Sequence, residues 1–394
     1  MKAKDFVERF AVERKNTHAV KWDGMVEKFG NNDLLPMWVA DTEFKVPPAA
    51  TTALEQRIQH GAYGYSIPSD GYFEAYANWQ RKRYGTELHS EWFRFGGSVV
   101  ESISTLVQTL TMPGDAVMVM EPVYYPLMNV VEKNNRQLVV SELQRNGMHY
   151  TMDPIAMQHE MNIRNVKLLL LCSPHNPVGR VWREEELTQL LDICRMQNVI
   201  VVADEIHHDL LVEADKFTSV LSVQDGFYRD NVVMLDSPSK TFNMAALQNS
   251  HVVIPNPQLR ERYDAYVDQL HASKGSLLGQ VAAQAAYEDG ADWLDGLLNT
   301  IRENYATVKD ELADYRVRVG ELEGTYLLWI DMRPTVDPVN LERFMIRQAQ
   351  IAVDFGKWFG VGGDGFIRMN LATTPANVKR AMKQLTAALD TYEE

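Results

Sequence analysis

Three short stretches place reactive side chains directly after apolar runs. The first is Ser237-Pro238-Ser239-Lys240-Thr241-Phe242-Asn243, which follows Asn231 to Leu235 (NVVML), a run that predicts a buried strand. A lysine just past such a strand lies where open α/β sheets bind ligands, at the carboxyl ends of their strands. Ser237 adds a hydroxyl suited to phosphate. Alone, a lysine in a Ser-rich loop reads equally well as a solvated surface residue. The second stretch, Asp204-Glu205-Ile206-His207-His208-Asp209, follows the apolar run VIVVA, so Asp204 is placed to meet the same ligand. Histidines among carboxylates suggest a metal site, but His207 and His208 are adjacent and cannot both face one ion from regular structure. No metal is expected. The third, Ser173-Pro174-His175-Asn176-Pro177-Val178-Gly179, follows VKLLLLC. Pro, Asn and Gly are ordinary turn residues, yet two prolines flanking Asn176 hold its amide at a third strand end.

These stretches need a sheet to align them. From Phe95 onward, short apolar runs alternate with amphipathic stretches: Ala116 to Met120, Gln137 to Ser141, Val166 to Cys172, Val199 to Ala203, the run to Leu235, and His251 to Ile254. That alternation predicts a mostly parallel sheet covered on both faces. Ser98 is a good N-cap for a helix running to about Leu110, and Pro47-Pro48 opens an earlier helix. Tyr63 and Tyr65 sit in a loop before a helix over Gly71 to Tyr84. Past residue 285 the texture changes to a long helix (Trp293 to Leu312), strands at Arg316 to Val319, Thr325 to Asp331 and Phe366 to Asn370, and a last helix from Ala376 to Tyr392. The expected fold class is α/β: an irregular arm over 1–45 that joins the small domain, a large domain over 46–285, and a smaller α+β domain over 286–394.

The chain has 394 residues, which favours two domains. Its 45% hydrophobic and 23% charged residues are those of a folded protein. The longest apolar runs fall far short of the roughly 20 residues of a membrane helix. The start, Met1-Lys2-Ala3-Lys4-Asp5, shows no apolar h-region, and Cys172 and Cys194 are the only cysteines, so a cytoplasmic setting is expected. A net charge of −14 argues against nucleic acid and anionic membrane as partners. Two patterns are decoys. Ser237-x-x-Lys240 lacks the partner motifs of β-lactamases, and Gly360-Val-Gly362-Gly-Asp-Gly365 precedes a strand and opens no helix, so it is a loop.

Taken together, Lys21-Trp22-Asp23, Leu35 to Asp41 (LPMWVAD), Tyr63-Gly64-Tyr65-Ser66, SPHNPVG, DEIH, SKTFN and Phe366-Ile367-Arg368-Met369-Asn370 stand in the order found in pyridoxal-phosphate enzymes of fold type I. The chain resembles most closely their C–S β-lyase branch, the cystathionine β-lyase group. The resemblance implies pyridoxal 5′-phosphate as cofactor, linked to Lys240, which then serves as general base at the substrate Cα. It implies that Asp204 pairs with the ring nitrogen, that Asn176 and His207 face the ring oxygen, and that Tyr124 stacks on the ring, with Tyr125 as the alternative. The phosphate would lie at the helix opened by Ser98, on the Val99 and Val100 amides, an arrangement worth about 0.3–2 kcal/mol. Ser237 would also hold it, with Tyr65 reaching it from a second subunit of a homodimer. Many fold-type-I enzymes carry Arg where this chain has Gln248. Arg368, which otherwise reads as a surface ion pair, would bind the substrate carboxylate, helped by the backbone at Val39 and Ala40. The implied reaction cleaves the Cβ–S bond of cystathionine or a related S-substituted L-cysteine. An aminotransferase would use the same residues; a regulatory protein that holds the cofactor without turnover is the other alternative, and the intact Lys240, Asp204 and Arg368 speak against loss of chemistry.

Overall fold

The computed structural model describes residues 1–271 and 275–392. Its centre is a seven-stranded sheet. In chain order the strands are β1 (Phe93–Gly96), β2 (Ala116–Glu121), β3 (Gln137–Glu142), β4 (Val166–Cys172), β5 (Ile200–Asp204), β6 (Val232–Asp236) and β7 (Ser250–Val253). Their spatial order is β1-β7-β6-β5-β4-β2-β3. Strands β6, β5, β4, β2 and β3 run parallel, whereas β7 runs antiparallel to both its neighbours. The carboxyl ends of β4, β5 and β6 therefore share one rim. Successive residues of the central strands alternate between two apolar layers. Leu169, Leu171 and Val201 face one of them, and Leu168, Leu170 and Val202 the other. Burial on both faces is why these strands read as near-continuous apolar runs.

A second, antiparallel sheet is built from β8 (Arg318–Val319), β9 (Leu327–Asp331), β10 (Asp354–Phe355) and β11 (Phe366–Asn370), in the order β8-β9-β11-β10. Strand β9 starts later than the apolar run suggests. Thr325 has φ of 71°, outside the extended region, so the chain cannot pair until it has passed that residue. The helices Ala291–Glu311 and Pro375–Asp390 pack on one another.

The first residues are more regular than expected. Ala3–Phe10 forms a helix against Ala291–Glu311, with Phe6 edge-on to Phe44 and Trp293 at 4.8 and 5.3 Å. Leu35–Pro36 pairs in parallel with Ile351–Ala352. Strand β1 and the helices Pro154–Ile163, Pro257–Gln269 and Leu277–Asp289 were not anticipated. Pro257–Gln269 buries only Leu259 and Tyr263, too few apolar positions for a periodic signal.

Phe6 is wholly buried in this aromatic cluster. Replacing it with alanine leaves a cavity that the rings around it fill only in part. Phe6→Ala is expected to cost roughly 3–5 kcal/mol, read as a fall in the urea midpoint with an unchanged slope.

Candidate active site

Strand pairing brings the three reactive stretches together. Cys172 lies beside Asp204, and Asp204 beside Leu235, so the turns after β4, β5 and β6 leave the sheet side by side. Asp204 is buried, its carboxylate accepting from the Ile206 amide at 3.2 Å. Burial pushes its carboxyl up to about 7; the Ile206 amide and then Lys240 act in the other direction. Lys240 follows β6 in a one-turn helix, Pro238–Thr241. Its ammonium donates to the Ala40 carbonyl at 2.7 Å. Burial pulls this amine down to about 8; Asp41 opposes the fall, Arg368 adds to it, and Asp204 opposes it. Desolvation is the leading cause for both groups, as expected of ionisable groups held out of water.

His207 and His208 face different ways. His208 turns into a buried cluster with Asp209 and Asp236. His207 stands edge-on to Tyr326, with ring centroids 6.1 Å apart, and its Nδ1 is buried without a hydrogen-bond partner. Burial, then Lys240 and Arg368, hold its pKa well below the usual range, so the ring is neutral. Elsewhere, His149, Glu321 and Glu323 bring potential metal-ligating atoms together. The Arg180 guanidinium already lies among them, 2.8 Å from Glu323 and 3.3 Å from His149.

Arg368 is 3% exposed, so the surface ion pair suggested by its sequence setting is wrong. It sits on β11, opposite Asp354 of β10, and bonds that carboxylate through Nη2. Its Nη1 donates to Asn176 Oδ1 at 2.8 Å, while Nε is buried without a partner. This bond links the rim of the large sheet to the small sheet. The Asn176 carbonyl in turn accepts from the Tyr124 amide at 3.0 Å, drawing in the turn after β2. Burial pushes the Tyr124 phenol up to about 12. Tyr125 lies beside it at 5.5 Å between ring centroids.

Ser98 caps the helix Val99–Leu110, accepting from the Glu101 amide at 3.2 Å. The amides of Val99 and Val100 are among the first in that helix, where no intrahelical acceptor exists. Close entry to this end depends on glycine. A Cβ on Gly96 would meet the Ser102 hydroxyl at 2.3 Å.

The Ser237 hydroxyl, the expected phosphate donor, lies 2.6 Å from both the Asn249 carbonyl and the Ser239 hydroxyl, and its oxygen accepts from the Ser239 amide at 3.1 Å, capping the lysine-bearing turn. Gln248 adopts φ of 52°, its carbonyl accepting from the Ser276 amide. Tyr65 is fully exposed and touches none of these groups. The carbonyls of Val39 and Ala40 are acceptors, for Asn370 and for Lys240 with Tyr326. Any hold they have on a carboxylate falls to their amides. Sequence reasoning missed Asp354, Tyr326 and the side-chain roles of Asn243 and Asn370. The two asparagines stood in recognised motifs, but Asp354 is marked only by its register with Arg368.

Lys240, Asp204 and the unpartnered His207 nitrogen suit a planar heterocycle that offers an aldehyde, a basic ring nitrogen and a ring oxygen. A helix start nearby suits an anionic tail. The chain matches the family model for aminotransferase class I and II over residues 29–385. It is 36% identical over 382 residues to cystathionine beta-lyase PatB of Bacillus subtilis, covering 96% of this chain and 98% of that one. It is 31% identical over 389 residues to protein MalY of Escherichia coli, covering 96% and 97%. Among solved structures it is similar to cystalysin of Treponema denticola, which contains a pyridoxal 5′-phosphate cofactor, with a TM-score of 0.92 and 34% identity over 96% of this chain and 97% of that one. The chain thus belongs to the aminotransferase class I and II family.

Proposed function

We propose that the protein is a pyridoxal-phosphate-dependent C–S β-lyase, cleaving the Cβ–S bond of cystathionine or a related S-substituted L-cysteine to a thiol, pyruvate and ammonia. The observation that carries this reading is the set of partly buried Lys240, buried Asp204 and the unpartnered His207 Nδ1 at neighbouring strand ends, with Arg368 joined to them through Asn176. The C–S lyase names of the relatives support the choice of bond.

When bound, the cofactor supplies an aldehyde that links to amines and a protonated ring that stores the electron pair left at Cα. Lys240 Nζ would carry the cofactor at rest and would accept the substrate Cα proton once released. Asp204 would keep a proton on the ring nitrogen. His207 Nδ1 and the Asn176 amide would hold the ring oxygen, and Tyr124 would pack on the ring. The Val99 and Val100 amides with Ser98 and Ser237 would hold the phosphate. Arg368 binds the α-carboxylate, its guanidinium aimed by Asp354 and Asn176, a charge-assisted contact worth about 1.5–3 kcal/mol. Loss of the Cα proton drives out the thiolate at Cβ, and water completes the conversion of the remaining three-carbon unit to pyruvate and ammonia.

The working unit is proposed to be a homodimer in which Tyr65 of one subunit reaches the phosphate of the other. The support is an exposed apolar group around that loop: Ile58, Tyr63, Tyr65 and Ile67. Residues 46–285 and 286–394 are proposed as large and small domains, the arm over 1–45 belonging with the latter. Its Leu35–Pro36 pairing and the Phe6 packing support that assignment.

Purified, cofactor-loaded protein is expected to release pyruvate and homocysteine together from L-cystathionine, and Lys240→Ala to release neither. Conversion that instead requires a 2-oxo acid would make the protein an aminotransferase. For the dimer, Tyr65→Ala and Lys240→Ala chains are each expected to be weak or inactive alone. Mixed and reassociated, they should regain activity, because one of the two sites is then whole; no regain would place Tyr65 outside the partner's site.

A further inference from the structure

Residues 39–44 form a strap across the catalytic lysine, fastened from both sheets. Asn370, two residues beyond Arg368 on β11, donates from Nδ2 to the carbonyls of Val39 and Asp41. Asn243, three residues beyond Lys240, donates to the carbonyls of Thr42 at 3.1 Å and Phe44 at 2.9 Å, and accepts from the Thr42 amide at 3.1 Å. The strap's Ala40 carbonyl receives the Lys240 ammonium and, at 2.9 Å, the Tyr326 hydroxyl.

Two charges of the strap, Asp41 and Glu43, meet Arg14 and Lys21 in a cluster of four that the proposed chemistry leaves unused. The fully buried Lys21 ammonium is 2.9 Å from Glu43 and 3.7 Å from Asp41. Arg14 is 2.8 Å from the other Asp41 oxygen, and the Trp22 indole donates to Glu43 at 3.0 Å. Asp23 gathers the amides of Asn16, Thr17 and Ala19 at 2.8–3.1 Å, fixing the loop that carries Arg14 and Lys21. Buried ion clusters add little stability over apolar packing of the same volume. Folding alone therefore does not account for Lys21, Asp41 and Glu43. Asp41, next in the chain to the Ala40 acceptor, puts one of these charges beside Lys240.

We propose that Asp41 is a positioning residue for Lys240: its carboxylate, balanced by Arg14 and Lys21, sets both the direction and the charge of the catalytic amine through the strap. The charged and titratable groups facing Lys240 are Asp41 from the strap, Asp204 and His207 from the end of β5, Arg368 from β11 and Tyr326 ahead of β9. Asp41 is the first of the groups that raise the Lys240 pKa. Removing the negative charge disfavours a protonated Lys240 nitrogen; removing Arg14, the more exposed partner, leaves that charge less compensated and favours it.

The inference rests on Lys240 being the residue linked to the cofactor, not on which substrate bond is cleaved. Its test uses no substrate, so it fails or stands independently of the lyase reading. In the holoenzyme, the pH midpoint of the change in the bound cofactor's visible absorption reports protonation of the Lys240 nitrogen. Asp41→Asn is expected to lower that midpoint by about one pH unit, and Arg14→Gln to raise it. Opposite shifts are the signature of charge, since a packing role moves both variants the same way or neither. Unshifted midpoints, or shifts of one sign, would overturn the proposal. Should Asp41→Asn not fold, Arg14→Gln decides alone: an upward shift supports it, and anything else refutes it.

Discussion

Keeping ionisable groups out of water is the constraint on which this structure turns. Asp204, His207 and Arg368 are buried and Lys240 is partly so, and desolvation is the leading cause of the perturbed pKa of Asp204, Lys240 and His207. Desolvation holds the Asp204 carboxyl up at about 7 and the Lys240 amine down at about 8, each shifted toward its neutral form. Such desolvation is costly, so the surrounding fold supplies partners: the Ile206 amide, the Ala40 carbonyl, Asp354 and Asn176.

These partners come from separate parts of the chain. The parallel sheet aligns the turns after β4, β5 and β6, but the arginine arrives from the small antiparallel sheet, and the lysine's acceptor from the strap. The Arg368–Asn176 bond and the two asparagine clamps join the three. A shift of the small sheet would therefore disturb Arg368 and, through Asn370, the acceptor of Lys240 together. In the proposed mechanism these contacts would link substrate carboxylate binding to the setting of the catalytic amine.

Much of this was legible in the sequence, for a physical reason. Strands buried on both faces must be apolar throughout, so VKLLLLC and VIVVA announced themselves, and reactive residues just beyond them fell at the ligand-binding rim. Ser98 was readable as an N-cap because its helix begins at once. What depends on partners distant in sequence was not readable. Asp354 acquires its role from β-sheet register with Arg368, and the Ser237 hydroxyl donates a hydrogen bond to a carbonyl twelve residues on. Strand β1, Phe93–Gly96, has half-buried aromatics around an arginine and ends in glycine, a pattern that did not stand out as a strand. The arm looked irregular because its apolar residues are shared among three short helices, loops and a two-residue strand.

The central claim is that Lys240, in its dry setting beside Asp204 and His207, is the amine that holds the cofactor. Cofactor-free protein would be loaded with pyridoxal 5′-phosphate, reduced with borohydride, digested and mapped by mass spectrometry. The account predicts one pyridoxyl group per chain, on the peptide containing Lys240. A label on any other lysine, or none on a folded chain, would contradict it.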